Sequence, residues 1–107
     1  LTLGRQAGLN PTQMLEILSE TAVNSPHLRS KGRMMIERRF EPAFALKYMQ
    51  KDFDLIVEAG RELRTPLFTS AVAHQVYTAA NVAGHGELDY ASVVKFLESA
   101  AAIQMPD

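Results

Sequence analysis

Hydrophobic residues recur every three or four positions along most of this chain, a spacing that gathers them on one side of an α-helix. The segment after Asn10 and Pro11 is an example, because residues 14–18 supply four apolar side chains directly after a residue pair that is favoured at helix starts. No segment shows the alternation of period two that is typical of a half-buried β-strand. The pattern therefore predicts an all-α fold, a compact bundle of five or six helices.

Proline, glycine and capping residues divide the chain into segments. NSP at 24–26 interrupts the pattern, TP at 65–66 ends the longest helix because the residue before proline disfavours the helical region, and GHG at 84–86 breaks the pattern again. Asp89 is expected to cap the last helix. The predicted helices are an opening one that ends near Gly8, one that starts at 10–11, then 27–39, 43–64, 66–83 and a last one whose inner side comprises Tyr90, Val93, Val94, Phe96 and Leu97.

One charged residue lies on the apolar side of the longest predicted helix. At about 100° per residue, the apolar side chains of residues 44–63 share one broad arc, and Asp52 falls near its middle. Its carboxylate is therefore expected to face a core or a pocket, and burying it ionised without a partner costs several kcal/mol. Two interpretations stay open: a structural aspartate that caps a helix or pairs with a buried arginine, and a carboxylate that serves a cleft.

Lys51 precedes Asp52 and lies at the edge of the same arc. By itself it is most simply a lysine whose stem covers apolar surface while its ammonium group stays in water. Together the two residues would offer a cation and an anion to one ligand.

Five basic residues between positions 29 and 39 do not form one stripe. On a helix, Arg29 and Arg33 share a face and the others point elsewhere, whereas nucleic-acid binding requires charges along one side. We therefore interpret the run as solvated surface. The three histidines lie far apart and lack the spacing of metal ligands, so no metal site is predicted. The basic run comprises Arg29, Lys31, Arg33, Arg38 and Arg39.

The composition narrows the class further. The 107 residues are enough for a single domain that buries about two-thirds of its unfolded surface. A net charge of −1 gives no electrostatic attraction to nucleic acid or to an anionic membrane, and no segment approaches the roughly 18 apolar residues of a membrane span. Because the chain lacks cysteine, disulfides and cysteine-bound zinc are excluded, and a reducing compartment is permitted. The localisation that we expect is cytoplasmic.

The first residues, LTLGRQAGL, are typical of the last turns of a helix that is already under way. We therefore expect that the chain is a fragment of a longer protein.

Four motifs follow one another over essentially the whole chain: FEPAFAL at 40–46, KDFDL at 51–55, GRELRTPL at 60–67 and GHGELDYASVVKFL at 84–97. In this order and spacing they resemble the C-terminal domain of the β-hydroxyacid dehydrogenases. That family includes 3-hydroxyisobutyrate dehydrogenase, tartronate semialdehyde reductase and plant glyoxylate reductase. Ala43 departs from the family pattern, which often has glycine before the phenylalanine.

The resemblance implies that residues 1–107 are the C-terminal domain of a two-domain enzyme, and that its Rossmann domain, with the dinucleotide loop and the catalytic lysine, precedes them. It implies reversible hydride transfer between NAD or NADP and a short 3-hydroxy acid or its semialdehyde, in a homodimer or homotetramer. By the match of motifs, Lys51 reaches the cofactor near the nicotinamide, Asp52 supports the catalytic lysine, and Phe44 lines the substrate pocket. Asp52 would then lie in the apolar arc because the arc faces an interdomain cleft.

A free-standing helical interaction module, which keeps this scaffold without chemistry, is the alternative function.

Overall fold

The computed structural model describes residues 1–103, and these residues form six α-helices and no β-strand. The prediction of an all-α fold is therefore confirmed. None of the helices in this part of the chain is long and apolar enough to cross a membrane. The elements are α1 (Thr2–Gln6), α2 (Pro11–Ser19), α3 (Pro26–Glu37), α4 (Leu46–Glu62), α5 (Phe68–Ala80), a π-helical extension of α5 (Asn81–His85), a 3₁₀ turn (Tyr90–Ser92) and α6 (Val93–Ala100).

Side-chain caps explain where α2 and α3 begin. Asn10 Oδ1 accepts hydrogen bonds from two backbone N–H groups in the first turn of α2, at 2.9 and 3.1 Å. Ser25 Oγ accepts one from the Leu28 N–H at 2.9 Å, and Pro26 occupies the first helical position. The segment 24–26, which was predicted as an interruption, therefore contains the start of α3, one residue before the predicted start at 27.

The long helices α4 and α5 pack against each other. Phe53 stacks on Tyr77 with ring centroids 5.5 Å apart, and the fully buried Leu46 lies in one core cluster with Ala80 and Val93. This cluster joins both long helices to the start of α6.

The turn from α4 to α5 depends on a glycine. A Cβ atom at Gly60 would lie 2.4 Å from Leu67 Cδ1, which is closer than two carbon atoms can approach. A side chain at position 60 would therefore require Leu67 to move away from α4. At the other end of α5, the predicted break at 84–86 corresponds to Gly84, whose φ of 95° ends the helical path.

A second core cluster joins α3, the segment 40–45 and α6. It consists of the buried residues Phe40, Ala91 and Val94, with Met34, Met35 and Leu88 packed on them. Two predictions about buried sides are wrong. Leu97 is 39% exposed and Ile17 is 66% exposed, because no described segment covers these positions of α6 and α2.

The predicted start of α4 at residue 43 is also wrong, since the helix begins at Leu46. The preceding segment runs alongside the loop before α6. The Asp89 N–H donates to Phe40 O at 2.9 Å, and the Leu46 N–H donates to Leu88 O at 2.8 Å. Residues 43 and 44 instead donate their N–H groups to the Asp89 carboxylate, at 3.1 and 3.3 Å. Backbone donors used in this way hold an extended segment in place of a first helical turn.

Two members of the basic run are not solvated surface, which corrects the interpretation from sequence. The ammonium group of Lys31 lies 3.0 Å from both oxygens of Asp89, a fully buried carboxylate. Arg38 donates to both oxygens of Glu98, at 2.8 and 3.1 Å, and Glu98 is 3% exposed. A buried carboxylate needs a cation and hydrogen-bond donors, and these two basic residues supply the cation.

The environment of Asp89 makes its charge dependent on the fold. Burial alone raises the pKa of a carboxyl group, but the Ala91 N–H, the Lys31 ammonium and the Phe44 N–H together hold the pKa of Asp89 below its usual range. Because the pKa is lower in the folded state, the carboxylate stabilises the fold above the pH at which an unfolded aspartate titrates, about pH 4. This contribution is lost as the pH falls through the folded pKa.

We predict that Asp89→Ala lowers the free energy of unfolding by about 3 to 5 kcal/mol, because it leaves a partly buried lysine unpaired. Urea unfolding at neutral pH measures the change. Glu87→Ala is the matched control, since its ion pair with Lys47 is exposed and should contribute little. Equal effects of the two substitutions would contradict the prediction. The difference between wild type and Asp89→Ala should also shrink as the pH is lowered below 4 or so.

Candidate functional site

Helix α4 has two apolar sides, and the described residues cover only one of them. Its inner side, which includes Phe53, Val57 and Gly60, packs toward α5 and is buried or half-buried. Its outer side carries Tyr48, Leu55 and Ile56, which are 50%, 57% and 43% exposed. The broad arc seen in the sequence therefore combines two surfaces, since a single neighbouring helix cannot cover so wide an arc.

Asp52 lies on the outer side of α4 and is exposed. Of the two expected surroundings, a core or a pocket, the described residues therefore rule out the core. Within residues 1–103 it forms no ion pair and no side-chain hydrogen bond, so the structural interpretation finds no partner in the part of the chain that is described. A role for Asp52 as a carboxylate that lines a cleft stays a prediction.

Lys51 is likewise exposed, next to Asp52 on the outer side. Its ammonium group pairs with no carboxylate of residues 1–103. The contrast with Lys47, one turn earlier, is informative, because Lys47 binds Glu87 at 2.7 Å. The cation of Lys51 is thus available to a group outside the described residues.

Phe44 stands at the N-terminal end of this outer side. Its ring lies 6.0 Å from the ring of Tyr48 and 6.2 Å from that of Tyr90, measured between centroids, and the contact with Tyr90 is edge-to-face. Its backbone is held at both ends: its N–H donates to Asp89 Oδ2, and its carbonyl accepts from the Tyr90 N–H at 3.0 Å. The side chain remains 38% exposed.

We call Phe44, Tyr48, Lys51, Asp52 and Leu55 the outer face of α4. Positions 48, 51, 52 and 55 are neighbours because residues three and four apart lie together on a helix, and the ring contact with Tyr48 adds Phe44 to them. The structure therefore places Lys51 and Asp52 on the side of α4 that carries Tyr48, whose ring contacts Phe44. The face offers a cation, a carboxylate and an aromatic wall, which suits a polar ligand with an apolar part.

Sequence reasoning missed the residues that hold this face in shape. Tyr90 was expected on the inner side of the last helix, but it lies in the 3₁₀ turn with its hydroxyl 2.7 Å from His27 Nε2. Burial raises the pKa of Tyr90, and the Asp89 charge adds to this while Lys31 opposes it. The phenol therefore stays protonated at neutral pH. No local spacing predicts these contacts, because 63 positions separate His27 from Tyr90.

A further cavity lies elsewhere. It is a groove of about 590 Å³ between α2 and α3, and it includes Arg29 and Arg33 as well as three glutamates. It contains no residue of the outer face of α4. Because the groove mixes both signs of charge, it has no clear preference for an anion, and the outer face remains the candidate site.

Comparison with known proteins gives this geometry a context. The chain is 37% identical over 93 residues to the cytokine-like nuclear factor N-PAC of Aedes aegypti, a match that covers 87% of this chain and 17% of that protein. It is 33% identical over 95 residues to glyoxylate/succinic semialdehyde reductase 1 of Arabidopsis thaliana, covering 89% of this chain and 33% of the reductase. This chain thus spans a third or less of these relatives.

A solved structure shares the fold. The crystal structure of 3-hydroxyisobutyrate dehydrogenase from Salmonella typhimurium superposes with a TM-score of 0.85 at 26% identity, over 89% of this chain and 33% of that one. The sequence profile of one family matches residues 1–97. The chain belongs to this family, which is described as the NAD-binding domain of NADP-dependent 3-hydroxyisobutyrate dehydrogenase.

Proposed function

We propose that this chain is the C-terminal, substrate-side domain of an NAD(P)-dependent β-hydroxyacid dehydrogenase. The reaction is hydride transfer between the nicotinamide and a short 3-hydroxy acid or its semialdehyde. The observation that carries the proposal is the outer face of α4, where Lys51 and Asp52 lie exposed without partners among residues 1–103, on the side of the helix that carries Tyr48. Family membership and the names of the related reductase and dehydrogenase support it.

The residues present fit a nicotinamide cofactor. The ammonium group of Lys51 is open to solvent and can donate hydrogen bonds to a polar cofactor atom, while Tyr48 and Phe44 offer aromatic surface. When bound, the cofactor supplies or accepts the hydride. Lys51 would hold the cofactor, Phe44 would line the substrate pocket and shield it from water, and Asp52 would stabilise the charged form of a lysine contributed by the Rossmann domain.

A Rossmann domain is the partner that we propose for the outer face. The chain itself has no G-x-G-x-x-G sequence, so the dinucleotide loop must come from another segment. The plant reductase is about three times as long as the matched region, since that region covers 33% of it. We further propose a homodimer or homotetramer, because the apolar side chains of Leu3, Phe68 and Val82 are 84%, 84% and 85% exposed and suit a subunit contact. The compartment that we propose is the cytoplasm.

The proposal is tested on the complete protein that carries this chain. We expect NADH or NADPH to be consumed with glyoxylate or succinic semialdehyde, or formed with 3-hydroxyisobutyrate, as measured by nicotinamide absorbance. The proposal fails if none of these substrates supports turnover with either cofactor. Cofactor binding without turnover would instead favour a scaffold that has lost its chemistry.

We predict that Lys51→Ala weakens cofactor binding by about 1.5 to 3 kcal/mol, the contribution of a hydrogen bond to a charged group. Fluorescence titration with NADH and NADPH measures the affinity, and thermal unfolding should change little because the side chain is exposed. Lys47→Ala is the matched control, since this lysine lies one turn away and is bound to Glu87. Unchanged affinity in Lys51→Ala would remove it from the site.

We predict that Asp52→Asn lowers turnover tenfold or more, which corresponds to about 1.4 kcal/mol in the barrier, with nearly unchanged stability. The substitution keeps the shape of the side chain and removes its charge. Asp54→Asn is the control, because Asp54 lies on the same helix but pairs with His74. A large drop in melting temperature for Asp52→Asn, with normal kinetics of the folded enzyme, would show a structural partner in place of a cleft residue.

A further inference from the structure

Phe44 lies between two tyrosines that differ in how firmly they are held. Tyr48 is half exposed on α4, whereas Tyr90 comes from the turn before α6 and contacts the core cluster around Leu46. The Tyr90 ring meets Phe44 at an interplanar angle of 75°, an edge-to-face arrangement that favours one orientation of the rings. The orientation of Phe44 therefore depends on how rigidly Tyr90 is fixed.

Three independent contacts fix Tyr90. Its backbone N–H donates to Phe44 O at 3.0 Å. Its hydroxyl lies 2.7 Å from His27 Nε2, and the two rings are nearly parallel, with centroids 5.8 Å apart. On the same ring, the ammonium group of Lys31 sits 4.4 Å from the centroid while it also binds Asp89. Both anchors, His27 and Lys31, belong to α3, one turn apart.

We propose that Tyr90, anchored by His27 and Lys31, is a positioning residue for Phe44 and thereby sets the affinity for substrate. This inference rests on the proposed function, in which Phe44 lines the substrate pocket. Tyr90 acts through Phe44, so it needs no contact with the reacting atoms. Phe44 lies in the segment 40–45, which precedes α4 and is not helical. The helical backbone of α4 therefore does not fix the orientation of the Phe44 ring. Without Tyr90 the ring gains freedom to rotate away from the pocket.

A double-mutant cycle in the complete enzyme tests the coupling. Tyr90→Leu should raise KM for the hydroxy acid or semialdehyde about tenfold while kcat falls less, because substrate placement is lost and the reacting groups remain. In a Phe44→Leu background, Tyr90→Leu should change KM no further. The proposal is overturned if Tyr90→Leu has the same effect in both backgrounds, or if it lowers the melting temperature without changing KM.

Conservative variants separate the ring from its hydroxyl. Tyr90→Phe keeps the contact with Phe44 and loses the bond to His27, so it should recover most of the affinity that Tyr90→Leu loses. His27→Leu should match Tyr90→Phe, and the two should not be additive. If Tyr90→Leu does not fold, this pair carries the test: we expect KM to rise about threefold in both variants, and a wild-type KM in both overturns the anchoring role. Phe53→Leu is the control, because Phe53 lies on the inner side of α4, where it stacks on Tyr77, and its loss should leave KM unchanged.

A second measurement does not depend on turnover. Residues 1–107 contain no tryptophan, so Phe44→Trp labelled with 5-fluorotryptophan adds one ¹⁹F resonance to the spectrum of the complete protein. We expect a dispersed signal that moves toward the value of free fluorotryptophan on Tyr90→Leu but not on Phe53→Leu. An unmoved signal overturns the positioning role. If the protein proves inactive, the proposed function fails while this spectrum still decides how Tyr90 acts on position 44.

Discussion

The buried carboxylate of Asp89 joins three parts of the fold: α3, the segment 40–45 and the turn before α6. It has no exposed surface, so its charge is supported entirely by Lys31 and by the backbone N–H groups of residues 43, 44 and 91. A buried ion pair often stabilises a fold no more than well-packed apolar residues would. Removing one of its partners, however, leaves a buried charge unpaired, which costs several kcal/mol, about 3 to 5. Asp89 therefore selects the single packing in which α3, the segment 40–45 and the turn before α6 meet.

The same carboxylate decides where the candidate site is formed. Because Asp89 takes the N–H groups of Ala43 and Phe44, the chain stays extended up to residue 45 and α4 starts at Leu46. That start places Phe44 against Tyr48 on the outer face of α4. The candidate site is thus positioned by hydrogen bonds from backbone N–H groups to Asp89. The side chains of the proposed ligand-binding residues take no part in them.

Two pairs of lysine and aspartate in this chain differ in how deeply they are buried. Lys31 and Asp89 are mutually paired at 3.0 Å with the carboxylate out of contact with water. Lys51 and Asp52 are adjacent in sequence, exposed, and unpaired within residues 1–103. In the first pair the two charges neutralise each other, and the carboxylate is buried, so it is not accessible to a ligand. The second lies within an apolar and aromatic surface of the kind that marks contacts with other groups.

Features that arise from residues close together in the chain, such as helices and their caps, can be predicted from the sequence. Helical periodicity and the Asn10 cap arise within a few residues, and the structure contains both. Asp89 also acts as a cap, but of the 3₁₀ turn that leads into α6 and not of α6 itself. Tertiary packing alone decided that Lys31 binds Asp89, 58 positions away, and that α5 covers one side of α4 and leaves Asp52 in solvent. Periodicity fixes the angle of a side chain around its own helix, but which angles become buried depends on how the helices pack, and that packing is set by contacts between residues far apart in sequence.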